Sequence, residues 1–244
     1  MNSGARYFRP IPKAGWWNAS RTISVVVDNE SWMLPFAAAL VENANVAGDR
    51  AELRRSYDEI PIDNDMAFFL GCTGIAKPAF LARSRRNLVV HSSDLPKGRG
   101  FAPLAWQIIA GQSEIVTCLI NAADAVDAGE IVLRDKLQFT GNELYPEMRA
   151  AQGSLIVELC LRFVASPEEP LGQSQIGEPT TLRRRIPADS ELDPNVPIAA
   201  QFDLLRTVDN DNFPAFFSFR GRSYKLAITP LDTSLGKSPV EPKR

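Results

Sequence analysis

The sequence predicts an α/β fold in which helices cover both faces of a mostly parallel β-sheet. Up to about residue 164, short apolar runs rich in β-branched residues alternate with longer segments of helical period. Such alternation is typical of sheets whose parallel strands are joined by helices. The 244 residues, 45% of them hydrophobic and 23% charged, suffice for one large domain or for an ordinary domain with an appendage.

Charge, hydropathy and cysteine usage exclude several functional classes. The net charge of −2 gives no general attraction to nucleic acid, so no nucleic-acid partner is expected. No apolar run approaches the roughly 20 residues of a membrane span, and the N-terminus lacks the apolar region of a signal peptide. The three cysteines are widely spaced and odd in number, which fits neither a zinc site nor a disulfide framework. We expect a cytoplasmic protein with reduced thiols and no metal.

The first third of the chain predicts one strand and one helix. Residues 1–20 have no clean period, and an ordered arm and a loose tail both remain open. Residues 22–27 predict a buried parallel strand, and a helix is expected over residues 31–45. The turn between them contains no glycine, which makes a nicotinamide-dinucleotide site a poor interpretation. Residues 51–60 fit either a short helix or a weak edge strand.

The next elements repeat the alternation. Residues 65–70 predict a strand with a tight exit turn at residues 71–74, and residues 75–85 predict a returning helix. Residues 87–91 are apolar enough for a buried strand, and a polar loop follows. The basic residues at the expected C-terminal end of that helix are Arg83, Arg85 and Arg86. The elements expected after the loop are a helix at 104–110, strands at 114–121 and 131–137, and a helix at 143–164.

The regular alternation of strands and helices ends near residue 165. This change predicts a core at residues 1–165 and a small α+β module at residues 166–230. Residues 166–175 are the best candidate for a linker, and residues 231–244 are polar, rich in proline and expected to be disordered. Within the module we expect an irregular strand region at 175–187, a helix at 198–207, and a hairpin of 215–219 with 223–228.

His91 ends the strand at residues 87–91 and is the only histidine in the chain. The carboxyl edge of an open α/β sheet is where ligands bind, so any proton transfer by imidazole at neutral pH must take place here. A single histidine at a strand end is nevertheless more often structural than catalytic.

The sequence of residues 91–103, His-Ser-Ser-Asp-Leu-Pro-Lys-Gly-Arg-Gly-Phe-Ala-Pro, resembles the signature His-x-Ser-Leu-Leu-Pro-x-x-Arg-Gly-x-x-Pro of formyltransferases that use N10-formyltetrahydrofolate. That family includes methionyl-tRNA, glycinamide ribonucleotide and sugar N-formyltransferases. The turn at residues 123–129 resembles the family's Asp-x-Gly turn, whose aspartate is here Asp127. The similarity covers residues 65–163 well and the first 60 residues only in pattern. The resemblance implies a Rossmann-like core.

The resemblance also implies roles for individual residues. His91, oriented by Asp127, would stabilise the oxyanion and transfer the proton, although a turn-capping role is the plain alternative for Asp127. N10-formyltetrahydrofolate would be the only cofactor, and its pterin would lie between two strand exits. The residues at those exits, which could equally be plain core and turn, are Phe69, Leu70, Gly71, Cys72, Asp124, Ala125 and Val126.

Clustered basic residues are expected to contact phosphate. A lip formed by Lys97 and Arg99, together with the run at residues 183–185, would supply charge-assisted hydrogen bonds to a diphosphate. A solvated surface is the competing interpretation for both. The substrate contacts predicted on this basis are Lys97, Arg99, Arg184 and Arg185.

One position departs from the family pattern. Most members have an asparagine two residues before the histidine, which donates its amide to the formyl oxygen; this chain has Val89 there. Asn87 lies about 13 Å from His91 along the strand and cannot replace it. Since Val89, His91 and Ser93 would share a strand face, we expect the Ser93 hydroxyl or a backbone N–H to be the donor.

The C-terminal module resembles the small module of bacterial formyltransferases that modify 4-amino-4,6-dideoxy sugars. This implies a nucleotide-linked substrate similar to GDP-perosamine, used for surface polysaccharide such as the lipopolysaccharide O-antigen. The tRNA enzyme typically exceeds 300 residues, which argues against that substrate. The alternatives left open are a non-catalytic folate-binding or scaffold relative and an enzyme for another small amine. A homodimer is an open expectation.

Overall fold

The computed structural model describes residues 20–231, so the predicted N-terminal arm and disordered tail lie almost entirely outside the described residues. The helices are α1 (Leu34–Val46), α2 (Pro78–Leu81), α3 (Pro103–Ile109), α4 (Tyr145–Val164) and α5 (Phe202–Arg206). The strands are β1 (Thr22–Val26), β2 (Arg50–Arg54), β3 (Asn64–Phe69), β4 (Ser84–His91), β5 (Arg99–Gly100), β6 (Glu114–Asn121), β7 (Ile131–Gln138), β8 (Thr181–Leu182), β9 (Ala215–Phe219) and β10 (Arg222–Leu226).

The central sheet has the strand order β2-β1-β3-β4-β6-β7. Strands β2, β1, β3 and β4 are parallel, whereas β6 is antiparallel to both of its neighbours. Every strand of the sheet except β6 therefore runs in one direction, which confirms the predicted mostly parallel sheet. The reversal of β6 follows from the short β6–β7 connection, because antiparallel neighbours need no long crossover.

The two faces of the sheet are covered unequally. Helices α1, α3 and α4 pack on one face in the main hydrophobic core, which contains Val25 and Phe68. Their neighbours along the strands, Val26 and Phe69, point to the other face, where a smaller cluster is covered by α2 and a single 3-10 turn at residues 57–59. This thin cover leaves space for a cavity on the second face.

The helix predicted over residues 75–85 is wrong in extent, since α2 has only four residues. Strand β4 already begins at Ser84, where Asn64 Nδ2 donates to Ser84 Oγ at 2.8 Å. Arg85 and Arg86 therefore lie in a strand and not at a helix C-terminus; the Arg86 guanidinium pairs with Glu169 at 2.6 Å. Pairing of β4 with β3 from its first residue outweighs the local helical pattern.

Most other elements match the prediction within a few residues. The ambiguous residues 51–60 form edge strand β2 followed by the 3-10 turn, and α1 begins at Leu34, three residues later than expected. The predicted hairpin is confirmed as β9–β10, with Arg220 and Gly221 in the left-handed conformation that two-residue hairpin turns require. Among residues 20–231, no helix is long and apolar enough to cross a membrane.

The residues after α4 lie along the core. Ile131 and Gln173 exchange two backbone hydrogen bonds of 2.8 and 2.9 Å, and β8 pairs in parallel with β5. Farther along, Leu192, Leu205, Val208 and Ala215 form a separate small cluster. The predicted division at residue 165 stays a prediction, but the segment proposed as a linker is tied to the sheet by backbone hydrogen bonds.

Candidate active site

A cavity of about 570 Å³ extends from the second face of the sheet around the C-terminal end of β4, where Val90 and the first turns of α4 also line it. Phe69, Val89 and Ile120 form its apolar wall, and His91 and Asp127 lie at its polar end. The volume is in the range of small-molecule sites, which are mostly apolar with a few placed polar groups.

His91 and Asp127 meet as the sequence predicts. The His91 Nδ1 atom is 3.4 Å from Asp127 Oδ2, and the imidazole is 7% exposed. The other ring nitrogen, Nε2, is 2.7 Å from the carbonyl oxygen of Gly98. Because a carbonyl only accepts hydrogen bonds, Nε2 carries a proton, and Nδ1 is the unprotonated nitrogen of the neutral ring. Nδ1 can therefore take up one proton, which would then lie between the imidazole and the carboxylate.

Asp127 is held by the backbone around it. The residue adopts a left-handed conformation with φ of 51°, and its Oδ2 accepts a hydrogen bond of 2.8 Å from Gly100 N–H. The side chain of Gln175 donates to the carbonyl oxygens of Asp127 and Gly129, at 2.7 and 2.8 Å. The carboxylate therefore cannot rotate freely away from His91.

Asp28 binds the turn at residues 71–74, which lines the cavity, and was not singled out from the sequence. Its carboxylate accepts hydrogen bonds from Thr73 N–H at 2.9 Å, Gly74 N–H at 2.8 Å and Tyr57 O–H at 3.1 Å. Burial opposes ionisation, but these donors outweigh it and hold the pKa of Asp28 below its ordinary value. The ionised side chain fixes the turn at residues 71–74.

The two side chains beside that turn stay neutral. Burial raises the pKa of Cys72 to about 11, with the Asp28 charge adding to the shift, so the thiol is not a nucleophile near neutral pH. Burial also raises the pKa of Tyr57, which remains a neutral phenol that donates to Asp28.

The predicted pterin-site residues divide into two groups. Phe69, Gly71, Cys72 and Val126 line the cavity. Leu70 is buried in the core on the opposite face, because strand neighbours alternate. The second group, Asp124 and Ala125, is exposed and outside the lining. Ala122 and Ala123, which precede them, line the cavity instead.

The predicted phosphate contacts also divide. Arg184 and Arg185 line the cavity. Lys97 lines a separate surface groove, and Arg99 turns away to donate to Gln175 Oε1 at 2.6 Å. The structure therefore does not bring the expected lip into the site. The backbone of this loop is paired with β8, and that pairing fixes the directions of its side chains.

Several lining residues were missed by sequence reasoning. Arg149 and Tyr145, in the first turns of α4, contribute a guanidinium lying 5.0 Å over a phenol ring. Arg149 also lies 4.5 Å over the ring of Trp32. Thr207 and Asp209 reach the same end from the C-terminal segment. No local pattern could identify them, because helical period shows which residues are buried but not which segment covers them.

Val89 lines the cavity at the position of the family asparagine, so no amide is presented there. Asn87 is not part of the lining, and its amide donates to Leu81 O at 2.8 Å. Ser93 is 2% exposed, is not part of the lining, and its Oγ has no hydrogen-bond partner among residues 20–231. Strand β4 ends at His91, so the strand-face argument does not extend to Ser93.

We expect Ser93→Ala to lower kcat by less than threefold, because the hydroxyl does not reach the cavity. Removal of a buried hydroxyl without a protein partner should leave the free energy of unfolding unchanged or increase it, within about 1 kcal/mol. Steady-state kinetics and thermal unfolding check both statements. A much larger loss of kcat at unchanged stability would restore Ser93 as the oxyanion donor.

Comparison with known proteins gives the fold. No family model matches the sequence. A methionyl-tRNA formyltransferase from Clostridium thermocellum superposes with a TM-score of 0.72 at 19% identity, over 87% of this chain and 95% of that one. A sugar N-formyltransferase from Shewanella has a TM-score of 0.62 at 14% identity, over 87% and 99%. HypX from Aquifex aeolicus, in complex with tetrahydrofolic acid, has a TM-score of 0.62 at 12% identity, over 84% and 37%. The core thus has the fold of these formyltransferase structures.

Proposed function

We propose that this chain transfers a formyl group from N10-formyltetrahydrofolate to the amine of a nucleotide-linked amino sugar. The observation that carries the proposal is the His91–Asp127 pair at the polar end of an apolar cavity of about 570 Å³. A buried imidazole and a carboxylate beside an apolar site can move the proton that acyl transfer to an amine requires.

Each member of the pair has a defined task. N10-formyltetrahydrofolate would supply the activated formyl carbon, and the attacking amine must lose a proton. The unprotonated Nδ1 of His91, next to Asp127 Oδ2, is the acceptor available for that proton. The resulting imidazolium is stabilised by the carboxylate and can return the proton to the leaving nitrogen. Since Nε2 is engaged by Gly98 O, the chemistry is assigned to the Nδ1 side of the ring.

The folate side of the cavity fits a pterin. Phe69, Val89 and Ile120 provide apolar contacts, and the turn fixed by Asp28 lies in the same lining. The presence of tetrahydrofolic acid in the HypX structure of the same fold supports a folate co-substrate.

Part of the cavity lining is cationic. Arg149, Arg184 and Arg185 line it next to the aromatic rings of Phe101 and Phe213. Cations beside aromatic rings suit a nucleotide, with phosphates on the guanidinium groups and a base on a ring. A nucleotide-linked 4-amino-4,6-dideoxy sugar such as GDP-perosamine, destined for surface polysaccharide, has both features and the required amine.

Two observations bear on a tRNA substrate. This chain spans 95% of the methionyl-tRNA formyltransferase chain that it matches, so length does not separate the two substrate classes. The net charge of −2 argues against tRNA, whose binding depends on a positive surface. We therefore favour the small nucleotide-linked acceptor.

The test is incubation with N10-formyltetrahydrofolate and a panel of acceptors, with mass spectrometry for the gain of one formyl group. The panel contains GDP-, UDP- and dTDP-linked amino sugars, simple amines and initiator methionyl-tRNA. Transfer to a nucleotide-linked amino sugar is the expected result. Transfer only to another amine would replace the substrate class, and folate binding without any transfer would favour a folate-binding scaffold.

We expect Arg184→Ala to raise the KM for the nucleotide-linked sugar about three- to tenfold with kcat nearly unchanged. The Arg184 guanidinium lines the cavity and is exposed, which reduces the contribution of a charge-assisted phosphate contact. Lys97→Ala is the matched control, because it removes an equal charge that faces a different groove. Equal KM values for the two variants would remove the arginine from acceptor binding.

A further inference from the structure

The short strand β5 has two edges with different partners. One edge pairs with β8 in the C-terminal segment; on the other side, Gly100 contacts Asp127, and Gly98, the residue before β5, contacts His91. We propose that Gln175 and Thr180 are positioning residues that set the tautomer of His91 and the place of Asp127 through β5. For its catalytic consequence the proposal rests on the proposed function, but the geometry that it describes is independent of the substrate.

The peptide unit between Gly98 and Arg99 links Thr180 to His91. Arg99 N–H donates to the carbonyl oxygen of Thr180 at 2.9 Å, and Gly98 O is 2.7 Å from His91 Nε2. In a trans peptide the N–H and C=O groups point in opposite directions, so a partner that fixes one also aims the other. The Thr180 carbonyl thereby directs Gly98 O at the imidazole and keeps the proton on Nε2.

A second contact anchors the residue before this peptide. Gly98 N–H donates to Thr180 Oγ1 at 2.8 Å, so the threonine holds the loop by its side chain as well as its backbone. On the next residues, Gly100 N–H donates to Asp127 Oδ2, and Phe101 N–H donates to Leu182 O at 3.1 Å. A Cβ at Gly100 would lie 2.5 Å from Leu182 O, so only glycine allows this close pairing.

Gln175 ties the same strand to the aspartate turn. Its Oε1 accepts from Arg99 Nη2, and its Nε2 donates to the carbonyl oxygens of Asp127 and Gly129. One side chain therefore connects the loop that follows His91 with the turn that carries Asp127. Residues 175–182 therefore help to fix the positions of both His91 and Asp127, although they lie outside the two sequence motifs that contain these residues.

The single histidine makes the first test direct. In untagged protein labelled with 15N, the imidazole signals report the tautomer and the exchange rate of the Nε2 proton for His91 alone. We expect the wild type to show only the Nε2–H tautomer with a slowly exchanging proton. Thr180→Val keeps the carbonyl but removes the Oγ1 anchor of Gly98 N–H, and this loosening of the loop should give mixed tautomers or fast exchange of that proton. Thr180→Ser keeps the hydroxyl and should show the wild-type signals. A Thr180→Val spectrum identical to wild type would overturn the proposal.

The second test compares two glutamines. Gln175→Leu should lower kcat about 10- to 100-fold with KM values within threefold, because misplacing a reacting group by about 1 Å can cost this much. Gln201 is the matched control, since its side chain also accepts from a single residue and donates to two carbonyl oxygens, but between Asp193 and Val196. Equal kcat losses in Gln175→Leu and Gln201→Leu, at equal melting temperatures, would contradict a positioning role.

These outcomes separate the two proposals. If wild-type protein transfers formyl to no acceptor while the Thr180 variants change the His91 signals as expected, the proposed function fails and the positioning role stands. If transfer occurs but the imidazole signals and kcat do not respond, the positioning role fails and the proposed function stands.

Discussion

His91→Asn should abolish practical turnover, with kcat lowered about 10²- to 10⁴-fold, while the affinity for folate stays within a few-fold. The imidazole acts on a proton and on charge that appear only in the transition state. The folate wall consists of Phe69, Val89, Ile120 and backbone groups that the substitution does not touch. As the chain has no other histidine, no second imidazole can compensate.

The measurement combines single-turnover formyl transfer with folate binding by fluorescence or calorimetry. Loss of the hydrogen bond to Gly98 O should cost about 1 kcal/mol of stability, so thermal unfolding must show that the variant is folded at the assay temperature. A folded variant that kept more than about a tenth of the wild-type rate would rule out His91 as the proton-transfer group.

The fold could be predicted to the extent that local pattern and pairing agree. Residues 114–121 contain a run of β-branched and apolar side chains, and β6 has those bounds. Residues 75–85 also fit a pattern, that of a helix, but pairing of Ser84 with Asn64 in β3 decides the structure. A pairing between residues 20 positions apart is not visible in a helical period.

The candidate site shows the same division. The meeting of His91 and Asp127 could be predicted, because a family motif fixes both the strand end and the turn. The direction of Lys97 and Arg99 could not, because it depends on pairing with β8, about 80 residues later in the chain. Arg149 was missed because α4 has a regular period, and only the covering C-terminal segment makes its first turns part of a cavity.

Asp127→Asn should lower kcat by a similarly large factor, about 10²- to 10⁴-fold, without loss of fold. Asparagine tolerates the left-handed conformation at this position, and its Oδ1 can still accept from Gly100 N–H. Because Asp127 Oδ2 faces both Gly100 N–H and His91 Nδ1, the asparagine amide can serve only one of them: with its oxygen there it keeps the bond from Gly100, and with its nitrogen there it donates to Nδ1 and blocks the proton acceptor. The negative charge that stabilises the imidazolium is lost as well.

The matched control is Asp124→Asn, an equal change in charge on an exposed side chain of the same turn, outside the cavity lining. The pH dependence of kcat for both variants checks the prediction. We expect the control to follow the wild-type profile, and Asp127→Asn to be slow at every pH, because neither protonation state of the ring regains both a free Nδ1 and its counter-charge. If the pH profile of kcat for Asp127→Asn matched that of the wild type in both height and shape, the carboxylate would have no role in the mechanism and would serve only to cap the turn.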